Sequence, residues 1–132
     1  MRGQRPKAFT LIEIVIVIVV IGILATLAGV VYSGMLEKGA AEEAKMGISA
    51  ILSAEEIYRI NSGNYLEADS NGTLNTDLQL SLQTDSARKW NYSTTASSAV
   101  PPRVCVQAAR VGKTCVWTQC SDQDDPSSSN CP

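Results

Sequence analysis

The chain has 132 residues, net charge −2 and no histidine, which leaves room for one small globular domain and no histidine base to activate a serine. Arg2, Arg5 and Lys7 sit in the first eight residues without an acid, so the remainder carries 8 bases against 13 acids, or −5. That balance argues against nucleic acid as a partner of the folded part, and Arg88-Lys89-Trp90 is too short a basic–aromatic cluster to reverse it. With no carboxylate pair recognisably buried, the composition points away from an enzyme.

Met1 to Ala8 is polar and basic. From Phe9 to Val31 the only ionisable residue is Glu13. Those 23 residues span about 35 Å as a helix, enough for a bilayer core of about 30 Å. The β-branched run from Ile14 to Ile21 would suit a buried strand in water, but its length and continuity favour a membrane helix. The basic leader sets the N-terminus on the cytoplasmic side. A secretory signal has its small-residue cleavage site after the apolar region. Here the small residue, Ala8, precedes it, so a cut there removes the leader and keeps the helix.

Beyond Tyr32 the pattern becomes amphipathic. Ala44, Ile48, Ile51, Ala54 and Tyr58 recur at helical spacing, with Leu52 and Ile57 widening the stripe and Glu42, Glu43, Lys45, Glu55 and Glu56 assigned to the opposite face. Ser62-Gly63-Asn64 is the natural stop. The spacing therefore predicts one helix of roughly 50 residues, its first half in lipid and its second half packed on a soluble domain.

Asn64 to Asn75 reads as an irregular loop. Asp77 to Gln83 alternates and reads as a short strand or an extended loop. Strands are expected over Trp90–Thr95, Arg103–Ala109 and Thr114–Gln119, the last two forming a hairpin through Gly112. The fold class is α+β: one long N-terminal helix on a C-terminal antiparallel sheet of about three to four strands. The segments expected are 1–8 as leader, 9–31 as transmembrane and assembly helix, 32–62 as amphipathic helix, and 63–132 as loop and sheet domain.

The four cysteines, Cys105, Cys115, Cys120 and Cys131, suit two disulfides formed outside the cytoplasm better than a zinc site, since no paired C-x-x-C is present. The favoured pairing is Cys105–Cys115 across the hairpin and Cys120–Cys131 around the polar tail. A two-residue turn would put the first pair on opposite faces of the hairpin, so the other connectivities stay open. The tail, 121–130, has no core-forming residue and is not expected to fold unaided.

Ala8-Phe9-Thr10-Leu11-Ile12-Glu13, with the apolar run and Gly22 behind it, resembles the N-terminal signature of type IV pilins and their pseudopilin relatives. The likeness is close over residues 7–29 and looser to about residue 65. It implies cleavage between Ala8 and Phe9 by a membrane prepilin peptidase, and N-methylation of the new Phe9 amine. It also implies assembly with further copies, through the N-terminal helix, into a helical filament built by machinery in the inner membrane. Ala8 stands where the family usually has glycine, and Val30 where it commonly has proline. A carboxylate in a membrane helix costs about 2.5–3.5 kcal/mol on insertion scales. The Phe9 amine, of the same chain or a neighbour, is the expected counter-ion of Glu13, with snorkelling to the headgroups as the alternative.

The resemblance implies a structural pilin. Its alternatives are a pseudopilin of a type II secretion system, a minor pilin and a plain anchored protein. Major pseudopilins bind calcium, which directs attention to Asp122, Asp124 and Asp125. No complete ligand spacing accompanies them, so a solvated acidic loop is expected, with neither metal nor cofactor.

Overall fold

The computed structural model describes residues 9–98 and 100–131; of Val30 it describes the backbone. Two units are distinguished, Met1–Glu37 and Lys38–Pro132. Six elements follow one another: α1 (Leu11–Ser62), α2 (Asn71–Asp77), β1 (Trp90–Ser97), β2 (Arg103–Arg110), β3 (Val116–Cys120) and β4 (Ser127–Ser129). The four strands form an antiparallel meander in the order β1-β2-β3-β4.

Helix α1 is framed by local chemistry. At its start the Thr10 carbonyl accepts from the N–H groups of Glu13 and Ile14 at 3.1 and 3.4 Å, and Thr10 Oγ1 accepts from Glu13 N–H at 3.4 Å. Thr10 therefore acts as the N-cap. At its end Gly63 takes φ 85° and donates its N–H to Arg59 O at 2.8 Å. Few other residues adopt that left-handed conformation without strain.

From Lys38 onward α1 packs on the sheet. Ala40, Ala44, Ile48 and Ile51 are buried with Leu74, Trp90, Tyr92, Val106 and Ala108. Contacts to the helix backbone fix the approach: Trp90 Nε1 donates to Ala40 O at 3.1 Å, and the Tyr92 hydroxyl to Glu43 O at 3.3 Å. Gly47 permits this, since a Cβ there would collide with the Tyr92 ring and hydroxyl. Burial pushes the Tyr92 pKa up to about 12, with the charge of Glu43 adding to the shift.

Two assignments along this helix are corrected. Glu55, expected to face solvent, is completely buried, and Ile57, expected to widen the buried stripe, is 63 % exposed. The reason is the spacing 44, 48, 51, 55, whose next inward position is Glu55, with Ile57 about half a turn away.

Helix α2, seven residues long and capped by Ser70, whose side chain accepts from Thr73 N–H, begins inside the region expected as a loop over 64–75 and ends at Asp77, the first residue of the segment expected to be extended. Buried Asn71 ties it down, donating to Gln83 O (2.7 Å) and Trp90 O (3.1 Å) and accepting from Tyr92 N–H at 2.7 Å. Asn75 holds Leu82 through both its amide nitrogen and its oxygen, and the segment 79–83, with Gln79 at φ 55°, forms no strand. Strand β4 lies in the polar tail. It pairs Val116 with Ser129 and Thr118 with Ser127, because main-chain pairing to β3 requires no apolar side chain.

Candidate processing and assembly site

The leader residues Arg2, Arg5, Lys7 and Ala8 lie outside the described residues, so the expected cut is seen from its Phe9 side only. Phe9 is 76 % exposed and precedes α1, which begins at Leu11. Glu13 is in the first turn of α1, where a carboxylate interacts favourably with the N-terminal end of the helix dipole. Among the described residues it has no ion-pair partner. Thr10 was not singled out from the sequence. Its signal was the Thr-x-x-Glu spacing of a capping box, of which the hydroxyl half is present.

Every side chain from Phe9 to Gly29 is exposed, including Ile12, Ile16, Ile18, Ile21, Ile23 and Leu24. The helix is long and apolar enough to cross a membrane. A surface apolar all round is not satisfied by water; it requires lipid or other apolar helices.

At the other end of α1 Glu55 and Glu56 tie the helix to the segment that follows it. Glu55 Oε2 accepts from Leu66 N–H at 2.9 Å, while Oε1 is buried without a hydrogen-bond partner. Desolvation raises the pKa of this carboxyl, with the Leu66 N–H opposing. Glu56 accepts from the Tyr65 hydroxyl and pairs with Arg59 at 2.9 Å. Its pKa is lowered first by the tyrosine and then by the arginine.

The disulfides are Cys105–Cys120 and Cys115–Cys131, which corrects the expected pairing. Four residues, Val111 to Thr114, separate Arg110 from Cys115, whose carbonyl accepts from Arg110 N–H at 2.9 Å. That loop sets the register in which Cys105 lies directly opposite Cys120. Cys115 is then five positions along the hairpin from Cys105's partner, about 17 Å at ~3.4 Å per residue, beyond the reach of a disulfide. Cys115 joins the core, where Cys131 packs against it.

The acidic loop is organised by its neighbours. Asp122 pairs with Arg103 at 3.3 Å, and Gln119 Nε2 donates to Gln123 O and Asp124 O, both at 3.1 Å. Among the described residues no group of three or more His, Cys, Asp or Glu is placed to hold a metal ion.

Part of the chain is similar to known proteins. The family described as the prokaryotic N-terminal methylation motif matches residues 3–29. Several proteins named "Type II secretion system core protein G" are similar to the chain. That of Pectobacterium carotovorum subsp. carotovorum is 36 % identical over 63 residues, covering 48 % of this chain and 40 % of that protein. That of Klebsiella michiganensis is 37 % identical over 65 residues, covering 49 % and 46 %. That of Escherichia coli K12 is 36 % identical over 62 residues, covering 47 % and 43 %. The chain thus spans less than half the length of the curated relatives it matches. No solved structure matches it. Over these stretches the chain is similar to the methylation-motif family and to type II secretion core proteins G, and the helix that carries the end of the motif is long and apolar enough to cross a membrane.

Proposed function

We propose that the chain is a pilin-like structural subunit, inserted with its N-terminus in the cytoplasm, cut between Ala8 and Phe9, and polymerised through α1 into a helical filament outside the cytoplasmic membrane. The observation that carries this reading is the fully exposed apolar first half of α1, whose residues 11–29 lie within the matched methylation motif. A lone membrane anchor would explain the apolar surface but not a motif that retains the helix and exposes a new amine.

The chemistry follows from the junction. Cleavage of the Ala8–Phe9 peptide bond gives Phe9 a positive amine close to Glu13. A carboxylate left unpaired in lipid is penalised, so pairing with an amine is favourable there. If the amine belongs to a neighbouring subunit, one contact neutralises both charges and sets the stagger between two helices. The apolar residues from Leu11 to Val31 exchange lipid for one another, with Gly22 and Gly29 allowing close approach. The partners under this reading are further copies, a prepilin peptidase and the assembly machinery of the inner membrane.

A second reading, a pseudopilus subunit of a type II secretion system, is favoured by the names of the relatives. The two share processing and assembly and differ in where the assembled chain resides, on the cell surface or in the periplasm. The shared step is tested by co-expressing the full chain with a prepilin peptidase and weighing the product. A mature chain beginning at N-methylated Phe9 is expected. A chain that retains Met1 to Ala8 in the presence of an active peptidase contradicts both readings.

A further inference from the structure

The folded unit, Lys38–Pro132, carries its charges of opposite sign at opposite ends. Trp90 opens β1 close to where the unit begins, its indole donating to Ala40 O at 3.1 Å. Strand β2 ends at the same place, since Trp90 pairs with Arg110. The loop behind β2 is held there too: Val111 N–H donates to Lys89 O at 2.9 Å and Lys113 N–H to Arg110 O at 3.3 Å. The segments that meet at this end, 38–45, 84–91 and 109–115, hold six bases (Lys38, Lys45, Arg88, Lys89, Arg110 and Lys113) against three acids, or +3. β1 then runs to the other end, where Thr94 Oγ1 donates to Leu66 O and where Glu56, Arg59, Arg103 and Asp122 line one cleft. The segments there, 55–67, 97–103 and 120–126, hold six acids against two bases, or −4.

We propose that the basic end is a docking surface for anionic phospholipid headgroups, on which the folded unit rests while the chain is anchored in a membrane. Lys38, Lys89 and Lys113 are exposed, and Arg88 and Arg110 are half-buried, so ammonium and guanidinium groups stand together at one rim. The pairs Lys45–Glu42 and Lys89–Glu43 join partly exposed side chains, and such pairs are weak and exchange readily for another anion. Even with every acid at this end paired, three positive charges are left over. Basic groups beside an anionic bilayer are drawn to it within a Debye length, about 10 Å at 0.1 M salt. Lys38 follows Val31 by seven residues, at most about 25 Å of chain, so the tether holds the basic end at a high effective concentration of headgroups. The same surface repels the acidic end, and the two ends together orient the unit. The inference rests on the membrane-anchored precursor of the proposed function and gives its folded unit a lipid partner; it does not require a filament.

The native cysteines leave no free thiol, so one introduced cysteine in the full chain takes a single fluorophore. Val111→Cys, at a position 44 % exposed, reports on the basic end; Ser98→Cys, at an exposed position just past β1, reports on the other. Each labelled chain is placed as a single copy in nanodiscs of phosphatidylcholine, alone or with about a third replaced by phosphatidylglycerol, and every disc includes a lipid with a nitroxide on its headgroup. Quenching at 111 is expected to rise at least about twofold with phosphatidylglycerol and to fall back at high salt, while the probe at 98 changes little. Lys38→Gln combined with Lys113→Gln should remove the rise, with circular dichroism confirming the fold; the lipid and salt comparisons decide the matter should that variant not fold. Equal quenching at 111 in the two lipids, from a chain that resists alkaline carbonate extraction from phosphatidylcholine vesicles, overturns the inference and leaves the anchor standing. A probe at 111 that responds only in discs holding two copies assigns the basic end to the acidic end of a second copy, and also overturns it. A chain stripped from those vesicles by carbonate overturns the anchored precursor, and the inference with it.

Discussion

The two halves of α1 satisfy the same physical demand by different means. Residues 14–25 are apolar on every side and exposed on every side, so their burial must come from outside the chain. The part from Lys38 onward buries one face under its own sheet, with Ala44, Ile48 and Ile51 fully covered. Substitutions in the second half should therefore register in the stability of the isolated subunit, and substitutions in the first half should register in insertion and assembly. One continuous helix joins a region that folds on itself to a region completed by its surroundings.

The largest effect expected from this contrast is that of Ile48→Ala, which empties a fully buried site and should cost about 2–5 kcal/mol of domain stability. Ile18→Ala removes the same groups from a side chain 60 % exposed and should change the unfolding free energy in detergent by less than about 0.5 kcal/mol. Equal losses from both would break the comparison. Removing the Cys115–Cys131 bridge by Cys115→Ser with Cys131→Ser should cost about 3 kcal/mol, given its sequence separation of 16. Hydrogen exchange should show β4 losing protection first. Gly47→Ala should cost about 1–3 kcal/mol through the collision with Tyr92, and Gly47→Ala combined with Tyr92→Phe should recover part of it.

A pH experiment sharpens the contrast within the domain. Glu55 has its pKa raised by burial, so the folded state holds this proton more tightly than the unfolded chain. Its contribution is fully present below the ordinary carboxylate pKa and is lost as pH rises through the raised value. Urea midpoints should fall over that window in the native chain, and Glu55→Gln should flatten the profile; an unchanged slope would show that Glu55 does not govern it. A small effect belongs to the Lys89–Glu43 pair at 3.0 Å, both members partly exposed. Lys89→Ala should cost about 0.2–1 kcal/mol, less at high salt.

Much of the architecture is legible in the sequence because it rests on periodicity. The uninterrupted apolar run, the 3.6-residue stripe through Ile48 and Ile51, and the stop at Gly63 specify the helix, and the β-rich segments specify the sheet. Residue type misleads where position decides. Glu55 is assigned to solvent because it is charged, although the spacing of Ala44, Ile48 and Ile51 makes it the next inward residue. Helix α2 is hidden because Ser70-Asn71-Gly72 has the chemistry of a turn; buried Asn71, bonded to β1, holds it in place. The disulfide pairing depends on the four-residue loop from Val111 to Thr114, and turn length is not encoded in cysteine spacing. At the N-terminus the motif is read directly from Ala8 to Glu13, whereas Glu13 has no ion-pair partner among the described residues.

The central claim, that the first half of α1 is completed by other copies, is tested most directly by mass-spectrometric hydrogen exchange and side-chain footprinting. The full chain is compared in detergent and in particles sheared from cells. On assembly, Ile12 to Leu27 should become strongly protected, while the inward residues Ala44, Ile48 and Ile51 remain equally protected in both states. Unchanged labelling of Ile12 to Leu27 between the two states would contradict the account.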